Sequence, residues 1–114
     1  MIKPFGALAA VHAFVVRLAT THPQLPGPSI STHPYDTAEL SLCLHSPSAV
    51  EAWRAALHVS HEAVNFKPHV SDQLLIDFTA DVEGFQVRAF ALFESAELAE
   101  AIKKVAAQQE EALA

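Results

Sequence analysis

The feature that most constrains this chain is the pair of residues Glu83-Gly84 and the way the sequence mirrors itself around them. If a two-residue loop turns there, Val82 falls opposite Phe85, Ala80 opposite Val87, Phe78 opposite Ala89 and Ile76 opposite Ala91. Every member of those pairs is apolar, and side chains at every second position of a strand share a face, so all of them land on one side of a β-hairpin. A slip of one residue would turn both apolar sets toward water, so the pattern specifies its own register. The opposite face carries Asp77, Thr79, Asp81, Gln86 and Arg88, but also Leu75, Phe90 and Leu92. It is mixed, where a merely solvated face would be polar.

A second alternating run extends from Ala38 to His45, with Leu40, Leu42 and Leu44 on one face and Glu39, Ser41, Cys43 and His45 on the other. It predicts a half-buried strand. Before it, Ser29 to His33 is short and β-compatible, and Pro34-Tyr35-Asp36-Thr37 reads as the turn between the two. Helical spacing marks three other segments. From Pro4 to about Thr21, Leu8, Val11, Val15 and Leu18 recur on one side with Phe14 beside them, and proline is tolerated in a first turn. Ser46-Pro47-Ser48 opens a second helix to about Val59, with Ser46 as cap and Val50, Trp53 and Leu57 as its stripe. Ser95 caps a third, with Glu97 in the first turn, a stripe of Leu98, Ile102, Val105 and Leu113, and a polar tail from Gln108 to Glu111. The segment His22-Pro23-Gln24-Leu25-Pro26-Gly27-Pro28 cannot continue the first helix, because proline removes the amide donor and restricts the residue before it. The stretch from Val64 to Val70 is extended in character, and Pro68 confines it to a sheet edge or a loop.

The expected fold is α+β: a single antiparallel sheet of about four or five strands with three helices, in the order α-β-β-α-β-β-α, with room for an extra edge strand before the last hairpin. A length of 114 residues suits one domain over residues 1–114. Helices covering the apolar face leave the other sheet face solvated or forming an interface, and Leu75, Phe90 and Leu92 argue for an interface.

Charge narrows the partners. Thirteen acidic residues against seven basic ones give a net charge of −6, with Lys103 and Lys104 the only adjacent cations. Nucleic acid is not expected as a partner, because phosphate binding relies on Lys and Arg displacing counterions, and an anionic membrane surface is disfavoured for the same reason. A basic protein or a cationic ligand would suit the field better. The lone Cys43 excludes an intrachain disulfide and points to a reducing, cytoplasmic compartment. Lys3 followed by the apolar run Phe5 to Val16 has the outline of a signal peptide. No small-residue cleavage site follows before the proline-rich segment, and the run is too short to span a bilayer.

Chemistry needs groups that converge. His58, His61 and His69, with Glu62 beside them, are of a ligand type that zinc or iron accepts, but no HExxH arrangement places two of them on one helix face. Cys43 and His45 share a strand face about 7 Å apart, too far for a thiolate–imidazole pair. Asp77 and Asp81 share a face with Arg88, as an exposed ion-paired surface would. There is no GxGxxG, GxxxxGK[ST], GxSxG, CxxC or EF-hand loop. No catalytic, cofactor-binding or metal-ligating residue is therefore expected.

In the order of its elements the chain is similar to small acidic secretion-chaperone-like folds. That layout, which covers the whole chain and rests on no shared motif, implies a twisted antiparallel sheet, three helices, a homodimer and the binding of segments of other proteins. The function expected is a non-enzymatic protein-interaction or dimerisation module, chaperone- or adaptor-like, binding a protein partner or a second copy of itself through Leu75, Phe90 and Leu92. The alternative is a small-molecule-binding or enzymatic domain using a pocket between sheet and helices, with Trp53, Tyr35 and the histidines as polar anchors.

Overall fold

The computed structural model describes residues 1–69 and 73–94. A 3₁₀ turn at Phe5–Leu8 runs into helix α1 (Ala9–Thr21); strands β1 (Ser29–Thr32) and β2 (Glu39–Cys43) follow, then helix α2 (Pro47–Ala56), a 3₁₀ turn at His61–Ala63, and strands β3 (Asn65–Pro68), β4 (Gln73–Val82) and β5 (Phe85–Glu94). The third helix expected over Ser95 to Leu113 lies outside the described residues.

β4 and β5 form the hairpin in the register their alternation demands, from Val82 opposite Phe85 through Ile76 opposite Ala91 and on to Gln73 opposite Glu94. Glu83 and Gly84 take φ of 52° and 85°. Positive φ at both central residues is the type I′ pattern, whose twist matches that of the flanking strands. Glycine accepts this freely, while Glu83 adopts it against its preference and reaches Arg17 of α1 at 3.5 Å.

The strands form one sheet in the order β1-β2-β5-β4-β3. It is mixed rather than antiparallel, because β2 and β5 run parallel, with Leu40 beside Val87 and Leu42 beside Ala89. The reason is the parity of reversals. Helix α2, about 15 Å long, carries the chain back along β2, about 16 Å long, so that the next strand starts in the direction of β2. Were β4 that next strand, β5 would run against β2 and the sheet would be antiparallel throughout. The segment after Val64 is instead a true edge strand, β3, antiparallel to β4 from Asn65 opposite Asp77 to Pro68 opposite Leu74. That one extra reversal turns β5 parallel to β2.

β1 pairs antiparallel with β2, Ile30 opposite Leu42. The turn between them is held by its own polar groups: the amides of Tyr35 and Asp36 donate to His33 Nδ1, each at 3.3 Å, and Ala38 N donates to Asp36 Oδ1 at 3.0 Å. β2 ends at Cys43, two residues short of the alternating run. Leu44 is still buried and its amide donates to the Phe90 carbonyl at 2.7 Å, whereas His45 is exposed.

Both helices bury their stripes in one core with the inward residues of β2, β4 and β5. α1 contributes Val11, Phe14 and Leu18; Phe14 stacks on Phe85 with ring centroids 4.6 Å apart, which places α1 near the hairpin turn. α2 starts as its sequence implies, Ser46 Oγ accepting from Ala49 N at 3.1 Å with Pro47 in the first turn. It buries Ala49, Val50 and Trp53. It stops earlier than the apolar stripe suggests, because His58 adopts a left-handed φ of 58° just past the helix end and Arg54 donates to the Val59 carbonyl. The proline-rich connector is not loose: Trp53 Nε1 donates to the Pro26 carbonyl at 2.9 Å. Among the described residues no helix is long and apolar enough to cross a membrane.

Candidate interaction face

With α1 and α2 on one side of the sheet, the strand register lays out the other side row by row. Lys67, Leu75 and Leu92 form one row across β3, β4 and β5. The next holds Asn65, Asp77, Phe90, Cys43 and Ser29, and the one after it Thr79, Arg88, Ser41 and Ser31. Nearest the hairpin turn come Asp81, Gln86 and Glu39. The apolar residues of this face thus gather toward the far half of β5, bounded by Gln73 and Glu94 in the row beyond Leu92, and the rows near Glu83-Gly84 are polar.

The three residues expected to form an interface are brought together. Leu75 stands directly opposite Leu92, and Phe90 is the next outward residue along β5. Leu92 is 39% exposed, while Leu75 and Phe90 are half-buried. What half-covers Phe90 is a side chain whose contact was not visible in the sequence. The Arg88 guanidinium carbon sits 4.8 Å from the Phe90 ring centre, and Arg88 Nη2 donates to Asp77 Oδ2 at 3.0 Å. Asp77 is only 7% exposed, a carboxylate between two neighbouring strands that is paired with a cation itself stacked on an aromatic face. Nothing in the alternation distinguishes Asp77 from Asp81, which is exposed and nearer the turn. A shallow hollow of about 110 Å³ lies beside this pair, lined by Glu39, Ser41, Thr79, Gln86 and Arg88.

The other sequence candidates are dispersed. His58, His61 and His69 are all exposed, the first at the end of α2, the second opening a 3₁₀ turn and the third donating its amide to Gln73 across the β3–β4 connection. Among the described residues no three His, Cys, Asp or Glu side chains converge as metal ligands. Cys43 is half-buried in β2 beside Phe90, and its thiol faces the Leu44 carbonyl at 3.9 Å.

A larger hollow, about 220 Å³, opens on the helix side at the β1 edge, between the second half of α1, the connector and Trp53. Trp53 and His22 line it, as a pocket between sheet and helices would require, but Tyr35 does not: it is 55% exposed, its ring 5.9 Å from that of His33. Sequence reasoning missed the contribution of Leu25, Pro28 and Ile30 to this hollow, since only the fold of the connector over the sheet edge brings them there. No known protein family, curated protein or solved structure matches the chain.

Proposed function

We propose that the chain is a non-enzymatic interaction module that pairs with a second copy of itself through the Leu75–Leu92–Phe90 cluster on the sheet face opposite α1 and α2, and that it works in a reducing, cytoplasmic compartment where the single Cys43 stays a thiol. The observation that carries this reading is the contiguity of Leu75, Leu92 and Phe90 across two central strands. Scattered apolar residues on a surface need no explanation, whereas a joined cluster on a sheet face does. The surroundings favour self-association: Lys67 flanks the cluster on the β3 side and Glu94 lies one row beyond it on β5. Two such faces packed about a two-fold axis can set each lysine against the other copy's glutamate.

The alternative, a small-molecule or enzymatic domain, draws on the hollow beneath the connector. Its lining is apolar apart from the His22 ring, and a substrate site needs several convergent polar groups to orient its ligand.

Light scattering coupled to size exclusion over a dilution series tests the proposal. A dimer is expected whose dissociation constant rises at least about tenfold in Leu92→Asp or Phe90→Asp, since a carboxylate at the centre of an apolar contact must be desolvated unpaired. A monomer at every concentration, or a dimer indifferent to both substitutions, overturns it.

A further inference from the structure

The two edges of the sheet are built differently. β3 carries Lys67 and Pro68 in four residues, and a charge with a proline is how sheet proteins blunt an edge against further pairing. β1, at the other edge, is Ser29-Ile30-Ser31-Thr32: no charge, no proline, and Ile30 46% exposed. Proline stands outside it, at Pro28 and Pro34, so the strand is bounded rather than blocked. Among the described residues the nearest backbone bond from elsewhere in the chain is from the Lys3 amide to the Pro34 carbonyl at 2.9 Å, past the end of the strand.

Among the described residues nothing pairs with the outer side of β1, and this edge adjoins the larger hollow. Ile30 is both an edge residue and part of its wall, Leu40 and Leu42 form its floor, and Val15 and Leu25 close it from α1 and the connector. The bond from Trp53 Nε1 to the Pro26 carbonyl holds the connector in place above it, so the walls are preformed.

We propose that the β1 edge and this hollow together are a docking site for an extended segment of a partner protein, which adds to the sheet beside β1 and inserts an apolar side chain under the connector. The backbone donors and acceptors along a strand edge, hydrated in the free protein, match in spacing those of another extended strand, and every second side chain of that strand then faces the helix side, where the hollow lies. The prolines limit pairing to about four to six residues, or about 13–20 Å. A second copy fits poorly, because its own β1 would offer the hollow only Ile30, between Pro28 and Thr32. The chain's net charge of −6 favours a segment with basic residues flanking its apolar positions. This site lies on the opposite side of the sheet from the Leu75–Leu92–Phe90 cluster and does not depend on it.

The test is selection of a phage-displayed library of random peptides on the immobilised full chain, followed by titration of the enriched peptides, synthesised, into ¹⁵N-labelled protein. The expected result is enrichment of peptides with apolar residues at alternate positions that shift the amide resonances of Ser29 to Thr32. Ile30→Lys, which gives β1 the charge that β3 already has, should weaken binding at least about tenfold. Ala19→Phe, filling the hollow from an exposed rim position, should weaken it as well, while Leu92→Asp leaves it unchanged. The proposal is overturned if no peptide is enriched, if the shifts fall on β4 and β5 instead, or if both β1-side variants bind as well as the parent. It is equally overturned if the Ser29 to Thr32 amides shift on concentrating the protein alone, since a second copy then occupies the edge.

Discussion

The two faces of β5 share one backbone but differ in content and in fate: Phe85, Val87, Ala89, Ala91 and Phe93 on the inner face are all apolar, whereas Phe90 and Leu92 share the outer face with Gln86, Arg88 and Glu94. Val87, Ala89, Ala91 and Phe93 are buried to within 3% exposure, while on the other face Phe90 is half-buried and Leu92 is 39% exposed. Phe90 is no less apolar than Phe93. What separates them is cover: on the inner face the two alanines, fully buried, leave room for α2 to lie close against the strand, and Phe14 of α1 stacks on Phe85. On the outer face, among the described residues, the Arg88 side chain stacks on Phe90 and pairs with Asp77, and no helix packs there. Burial in this sheet therefore follows from what packs on a face, and hydrophobicity alone does not assign it. One face is a finished core, and the other is mixed, with Leu75, Phe90 and Leu92 set among polar residues.

The contrast can be tested at neighbouring positions. The largest effect is expected from Phe78→Ala, which empties a fully buried site on the covered face; about 3–5 kcal/mol should be lost in urea unfolding, against less than about 0.5 kcal/mol for the next residue, Thr79→Ala, on the open face. Equal losses at the two positions would mean that the open face is packed as tightly as the core. A smaller effect, about 1–3 kcal/mol, is expected from Arg88→Ala, because it strands the Asp77 carboxylate with little access to water. Adding Asp77→Asn to that variant should recover part of the loss, and a double-mutant cycle without coupling would show that the pair does not determine how this face is covered.

The smallest effect lies on the outside of the covering layer. Arg54, bonded to Glu51 at 2.7 and 2.8 Å, holds the Glu51 carboxyl below the usual carboxylate range, against the opposing push of partial desolvation. A folded-state value below the unfolded one contributes stability above the ordinary carboxylate range, and that contribution is lost as the pH falls through the lowered value. Denaturation midpoints of the parent chain and of Glu51→Gln should therefore differ slightly at neutral pH and converge in acid; a gap that persists in acid would assign the effect of the substitution to something other than charge.

Much of the local structure was legible in the residues. The Glu83-Gly84 loop, the hairpin register, the Ser46 cap and the connector after Thr21 all follow from rules that act over a few residues. The misreadings involve longer-range effects. The extended character of Val64 to Val70, with Pro68 within it, suits a sheet edge or a loop equally, and once β3 forms, the extra reversal changes the relation of β2 to β5 and makes the sheet mixed. α2 is shorter than its stripe because His58 accepts a conformation that composition does not announce. The grouping of Leu75, Phe90 and Leu92 was legible, since they share a hairpin face, whereas the stacking of Arg88 on Phe90 and the hollow beside β1 were not, since they join residues distant in the chain.

The sequence by itself determined which residues alternate, where the chain turns and which side chains share a face, because side-chain period and turn geometry are properties of adjacent residues. Only the tertiary structure decided that β5 runs parallel to β2, that both described helices cover the same face, and that β1 was left as an edge beside an open hollow. Those outcomes depend on the number of chain reversals and on which surfaces meet, and neither is encoded within any single segment.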